Sequence, residues 1–374
     1  MTDPRVDRHA QVLVDYCVKV APGDRVLIEA EPTAEPLVRA VFERILRAGG
    51  HPQLAVSLSG MQTYSGIDDL FMAHANEEQL EFVPPFLLEA YEHFEGRIRI
   101  HSQANTRALT HADPKRMAKR LAAVKPILKA QFGRGGAGDF KWVTTLHPTE
   151  AYAQDAELSL PEYEDFVYQA CHVAGDDDPV AYWIGVQKEQ ERAIKAIEGH
   201  DQVHLQGPNC DLRLSIKGRM FKNADGTCNM PDGEVYTGPV EDSVDGWVNF
   251  TYPAIRLGHE VSGIKLKFEA GKVVEASAAK NQAFLMESIN TDPGASYVGE
   301  FAIGTNYGIQ RHTGNILFDE KIGGSFHMAL GSGYPETGSK NDSAIHWDMI
   351  CDMKKDSQIS VDGNVIYKDG RFTF

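Results

Sequence analysis

The hydrophobic period changes once along this chain, and that change constrains its fold more than any single motif does. Up to about residue 200 apolar residues recur at helical spacing between short apolar runs; beyond it they alternate in twos. "VDRHAQVLVDYCVKV" and "EPLVRAVFERILRAG" (35–49) read as amphipathic helices, the second stopped at Gly49-Gly50. "DRVLIEA" (24–30), "HPQLAVSL", "GRIRIHS" (96–102) and "KWVTTLH" (141–147) read as strands between helices. Such alternation requires right-handed crossovers and a mostly parallel sheet covered on both faces. After a helical bridge at "DPVAYWIGVQKEQERAIKAIEGH" (178–200), hairpin turns are predicted at Asp225-Gly226, Ala270-Gly271, Asp362-Gly363 and Asp369-Gly370, with one helix over 279–290. The expected class is α/β: an N-terminal doubly wound α/β domain with a mostly parallel sheet (1–185), followed by a β-rich α+β domain (186–374).

Composition narrows the functions open to such a chain. At 374 residues it can bury two ordinary cores, and 42% hydrophobic against 24% charged residues is a globular balance. Its formal charge of −16 repels nucleic acid and anionic membranes, so neither is an expected partner. The basic stretch "KRMAKR" (115–120) is interleaved with apolar residues and reads as the solvated face of a helix. No window approaches 18 apolar residues, and the first residues carry acids where a signal peptide is apolar. Five scattered cysteines without C-x-x-C argue against a disulfide framework or a zinc ribbon. A cytoplasmic protein is expected.

Two glycine patterns mislead. "GRGGAG" (133–138) matches G-x-G-x-x-G, but it leaves a helix and enters a strand, the reverse of what a phosphate needs. "GYPETGSK" (333–340) places Ser339 before Lys340, where a P-loop requires lysine first. The more informative residues lie among the glycines of the second half: Glu234 in "NMPDGEVYTGP", Glu300 in "GASYVGEFAIGTNYG", His327 and Tyr334 in "DEKIGGSFHMALGSGYPETG". "AIHWDMICDM" then offers His346 and Asp348 two positions apart. On a strand that spacing puts both on one face, with Trp347 on the other. Carboxylate and imidazole are common ligands for divalent metals, although each residue alone is more often structural.

These segments together resemble the M29 family of metallo-aminopeptidases, and "YCVKVAPGDRVLIEAEPTAEPLVRA" is similar to the start of that family. The resemblance implies a metal-site pattern of Glu, Glu, His, Tyr, His and Asp, which falls on Glu234, Glu300, His327, Tyr334, His346 and Asp348. Glu320 in "FDEK" is the position for a further acid. It also implies a homodimer, two domains, and release of N-terminal residues from peptides with a free N-terminus. Counting charge, Glu234, Glu300 and Asp348 leave −1 with one divalent ion and +1 with two, and a hydroxide brings the latter to zero. Two divalent ions per chain, Zn, Co or Mn, are therefore expected to activate water. Glu300 would bridge the metals or take the water proton, and Tyr334 would ligate or donate to the oxyanion. The rival reading takes His327, His346 and Asp348 as the 2-His-1-carboxylate set of a mononuclear Fe(II) ring-cleaving dioxygenase of the dihydroxypyridine type. It leaves Glu234 and Glu300 without a role.

Overall fold

Four strands carry the first part of the chain: β1 (Arg25–Ala30), β2 (His51–Val56), β3 (Gly96–His101) and β4 (Lys141–Leu146). They pair in parallel in the order β2-β1-β3-β4, and the short strand Asn229–Met230 lies beside β4. The direction of strand addition reverses between β1 and β3, the topology of a doubly wound sheet. Both faces of such a sheet are covered, so Val26, Leu27, Ile28 and Ala30 are all buried along β1. The helix Glu35–Arg47 between β1 and β2 buries Leu37, Val41 and Ile45, which recur at helical spacing. As predicted, "GRGGAG" ends a helix, Lys125–Ala137, and Gly138 closes it at φ 82°.

The computed structural model describes residues 3–374, which divide into two compact units. One runs to Trp183 and takes in Gly226–Pro231; the other comprises Ile184–Asp225 and Asp232–Phe374. Among the described residues no helix is long and apolar enough to cross a membrane.

The second unit is built on antiparallel sheets. One has eight strands and contains the hairpins predicted at Ala270-Gly271, Asp362-Gly363 and Asp369-Gly370. The other has the order β8-β7-β6-β5, from β5 (Glu234–Thr237), β6 (Val298–Gly304), β7 (Ser325–Gly331) and β8 (His346–Asp352), with Lys222–Ala224 outside β5. One face of β5–β8 joins the apolar core through Phe301, Ile303, Phe326, Met328, Trp347 and Met349. The helix expected over 279–290 forms at Gln282–Ile289.

One predicted hairpin is absent. Asp225-Gly226 joins no paired strands: Cys210–Ser215 pairs back on Gln202–Gly207, Lys222–Ala224 pairs with β5, and Asn229–Met230 pairs with β4. Gly226 does have the positive φ of a turn, 95°. There the chain passes from one unit to the other, and a local turn signal carries no information about which strands the flanks will meet.

The first sheet also buries charge. Glu29 Oε2 accepts from Tyr91 Oη (2.8 Å) and Arg99 Nε (3.0 Å), with Arg97 Nη1 at 3.7 Å. Burial alone raises the pKa of Glu29, but Arg99 and Arg97 outweigh it and hold the group below its ordinary 4.5. Glu29→Gln keeps the shape, leaves two buried guanidinium groups without their anion, and should cost about 3–5 kcal/mol at neutral pH. The folded pKa is depressed, so this contribution is full above the unfolded pKa and fades as pH falls through the folded one. Urea midpoints of variant and wild type should therefore differ at pH 7 and converge in acid.

Candidate metal centre

Residues two apart on a strand project to one side, so register decides which side chains gather on the face opposite the core. Glu300 lies across from Ala329, and Ala329 from Asp348. His327 lies across from Ala302, Glu234 from Gly304, and His346 from Gly331. Glu234, Glu300, His327, His346 and Asp348 thus each have alanine or glycine beside them on a neighbouring strand, and the small residues leave room for polar side chains to converge. A register shift between Val298 and Glu300 further re-aims Glu300. Gly331 has φ 99°, and a Cβ there would lie 2.1 Å from the Ile345 carbonyl oxygen, so β7 can end against β8 only with glycine at this point. Trp347 points the other way, 2% exposed in the apolar core, as its position in "IHWD" predicts.

His346 Nδ1 lies 2.7 Å from the Ser332 carbonyl oxygen, which can only accept. Nδ1 therefore carries a proton, and Nε2 faces Glu300 Oε2 at 3.1 Å and Asp348 Oδ1 at 3.5 Å. His327 Nε2 lies 3.4 Å from Glu234 Oε2 and 3.8 Å from Glu300 Oε1. Ligand atoms of Glu300, His327 and Asp348 fall within 4.8 Å of one another. Glu234 Oε2 and Asp348 Oδ1 are buried without a hydrogen-bond partner. Buried carboxylate oxygens without a hydrogen bond, converging with imidazole nitrogens, call for positive charge, and the donor set fits a divalent cation. Left to themselves, the acids charge the imidazoles. Burial opposes this, yet Glu300 and Glu234 raise His327 to about 10, and Asp348 and Glu300 raise His346 to about 11.

Tyr334 stands at the rim, 39% exposed, its ring 5.2 Å from that of His346 and 5.4 Å from that of Tyr236. Glu320 also reaches the cluster, where it pairs with Lys321 Nζ. Sequence reasoning missed Lys321 and Asp232. Lys321 is fully buried, its Nζ 3.8 Å from Asp232 Oδ1 and 3.9 Å from Glu234 Oε1. Burial raises Asp232 to about 7 and also lifts Glu234 and Glu320, so this side of the cluster holds protons readily. Asp232 was legible only as the acid two positions before Glu234 in "PDGEV"; Lys321 carried no signal beyond its place after Glu320.

The model of the M29 family, thermophilic metalloproteases, matches residues 2–372. The chain belongs to the M29 family. M29 membership makes it a metal-dependent peptide-bond hydrolase. Aminopeptidase 2 of Geobacillus stearothermophilus is 26% identical over 409 residues, covering 99% of this chain and 95% of that one. Among solved structures, wild-type AmpT from Thermus thermophilus superposes with a TM-score of 0.82 at 22% identity, over 99% of each chain. The 2,5-dihydroxypyridine dioxygenase from Pseudomonas putida reaches 0.62 at 13% identity, over 98% of this chain and 96% of that one. The M29 fold is thus shared beyond peptidases, and side chains must decide the chemistry.

Ala329 separates Glu300 from Asp348, so Ala329→Leu should push the two acids apart. Divalent-metal affinity measured by titration calorimetry should fall by about tenfold or more, with the far-ultraviolet spectrum unchanged.

Proposed function

We propose that this M29 protein is a metallo-aminopeptidase that hydrolyses the N-terminal residue from peptides with a free N-terminus. One observation carries the reading: Glu300, 3% exposed, lies between two imidazoles in a cluster of buried acids, within a metalloprotease family whose relatives include Aminopeptidase 2. Glu300, His327, His346 and Asp348 would hold a divalent ion, with Glu234 beside it. When bound, such an ion polarises the scissile carbonyl and lowers the pKa of water toward neutrality. Glu300 takes the water proton, its carboxylate held in place by the register of β6 on β7. Tyr334, at the rim beside His346, donates its O–H to the carbonyl oxygen as negative charge develops there. The acidic field of the cluster favours a substrate that arrives with a protonated amine, which accounts for an exopeptidase acting at the N-terminus.

Oxygen-rich ligands with two imidazoles and no thiolate suit Zn, Co or Mn. A second ion, expected from the charge count, would have to share Glu234 and Glu320 with Lys321. A homodimer, domains at 1–185 and 186–374, and a cytoplasmic setting for five free cysteines accompany this reading.

The dioxygenase-like fold and the His327, His346, Asp348 set keep a second reading in view, a mononuclear Fe(II) ring-cleaving enzyme. Buried Glu234 and Glu300 beside that set favour the peptidase. Protein loaded with Zn, Co or Mn should hydrolyse leucine p-nitroanilide. Glu300→Gln should lower kcat/KM by about 10²–10⁴ while remaining folded. Oxygen uptake with a dihydroxypyridine by the Fe(II)-loaded protein, without hydrolysis of any aminoacyl substrate, would overturn the proposal.

A further inference from the structure

We infer that Lys321 occupies the place of a second divalent ion, so that the centre holds one metal and one ammonium. The inference deepens the metallo-aminopeptidase reading and rests on it. Lysine is almost never fully buried unless paired, and Lys321 is fully buried. Its Nζ lies within ion-pair distance of three carboxylates: Asp232 before β5, Glu234 on β5, and Glu320 beside it in the chain. The ammonium donates a hydrogen bond to Glu320, and Asp232 and Glu234 stand 3.8 and 3.9 Å from it.

Glu234 marks the boundary between the two cations. Its Oε1 faces Lys321 at 3.9 Å, while its Oε2 faces His327 at 3.4 Å. On the far side Glu300, His327 and Asp348 converge, and His346 adds a nitrogen 3.1 Å from Glu300. Two carboxylates and two imidazoles give four donors, enough for one ion without Glu320. A second dication would need the oxygens that already face the ammonium, at about 2.0–2.2 Å from them. Ammonium and dication would then repel at contact range inside a buried cluster.

The ammonium has the advantage because it is tethered. The Lys321 backbone N–H donates to the Phe318 carbonyl (3.1 Å), and the Lys321 carbonyl accepts from the Asn306 N–H (3.1 Å). Asn306 in turn donates from Nδ2 to the Asp232 carbonyl (2.8 Å). Asn306 thus braces the lysine and one of its acids together, which keeps the ammonium at a high effective concentration. Glu320 is on this reading the partner of Lys321 and not a metal ligand.

The test counts metal in the full-length protein, stripped with a chelator, reloaded with excess Zn²⁺ and desalted before elemental analysis. Wild type should hold one ion per chain. Two ions would overturn the inference and leave the peptidase reading standing; none would overturn the metalloenzyme reading itself. Lys321→Met, of similar length without the charge, should admit a second ion and hold two. A folded Lys321→Met that still holds one would also refute the assignment. Glu320→Gln, which keeps the lysine, provides a second variant should Lys321→Met fail to fold. Its Zn²⁺ affinity should stay within about threefold of wild type, whereas a tenfold or greater loss, the scale of a removed ligand or its support, would make Glu320 a ligand and defeat the proposal.

Discussion

Mutual repulsion among carboxylates is the constraint on which this second unit depends. Asp232, Glu234, Glu300, Glu320 and Asp348 are gathered on one side of β5–β8, largely out of water. Two like charges about 4 Å apart cost about 4 kcal/mol at an effective dielectric near 20, so the cluster opposes folding unless cations and protons balance it. The other side of the same four strands supplies the opposing stabilisation, with Phe301, Phe326, Met328 and Trp347 in the apolar core. The period-two strand makes the division possible. One face is given to charge and the other to packing, residue by residue.

A scaffold of this kind serves more than one chemistry. The M29 chain shares its fold with both AmpT and a 2,5-dihydroxypyridine dioxygenase. The hydrogen bond from His346 Nδ1 to Ser332 presents Nε2 to the cluster whichever ion is bound. Beside the His327, His346 and Asp348 set, Glu234 and Glu300 are buried as further acids.

The parts of this arrangement legible in the sequence were those written in a period. His346 and Asp348 could be placed on one face, and Trp347 on the other, because a strand repeats in twos. The parallel sheet followed from helices alternating with strands, and three of four hairpins followed from Asp-Gly or Ala-Gly pairs. Glu234, Glu300 and His327 came together only through family resemblance, since their separations along the chain say nothing about the register of β5, β6 and β7. Lys321 was illegible for a different reason: lysine in a polar stretch such as "FDEK" is ordinarily solvated, and nothing local shows that it will be buried among acids. The turn at Asp225-Gly226 was read correctly as a turn and wrongly as a hairpin, because its flanks find their partners far away in sequence.

That excursion has a consequence for how the molecule is made. The last strand of the parallel sheet, Asn229–Met230, is translated well after β4, with Gln202–Gly207 and Cys210–Ser215 of the other unit in between. A ribosome releasing this chain cannot finish the first unit before beginning the second. The unfinished edge of β4 waits through that interval with unpaired backbone groups, a period of exposure that an uninterrupted domain would avoid. Birth order and spatial order differ here, and the two units are bound to a shared folding schedule.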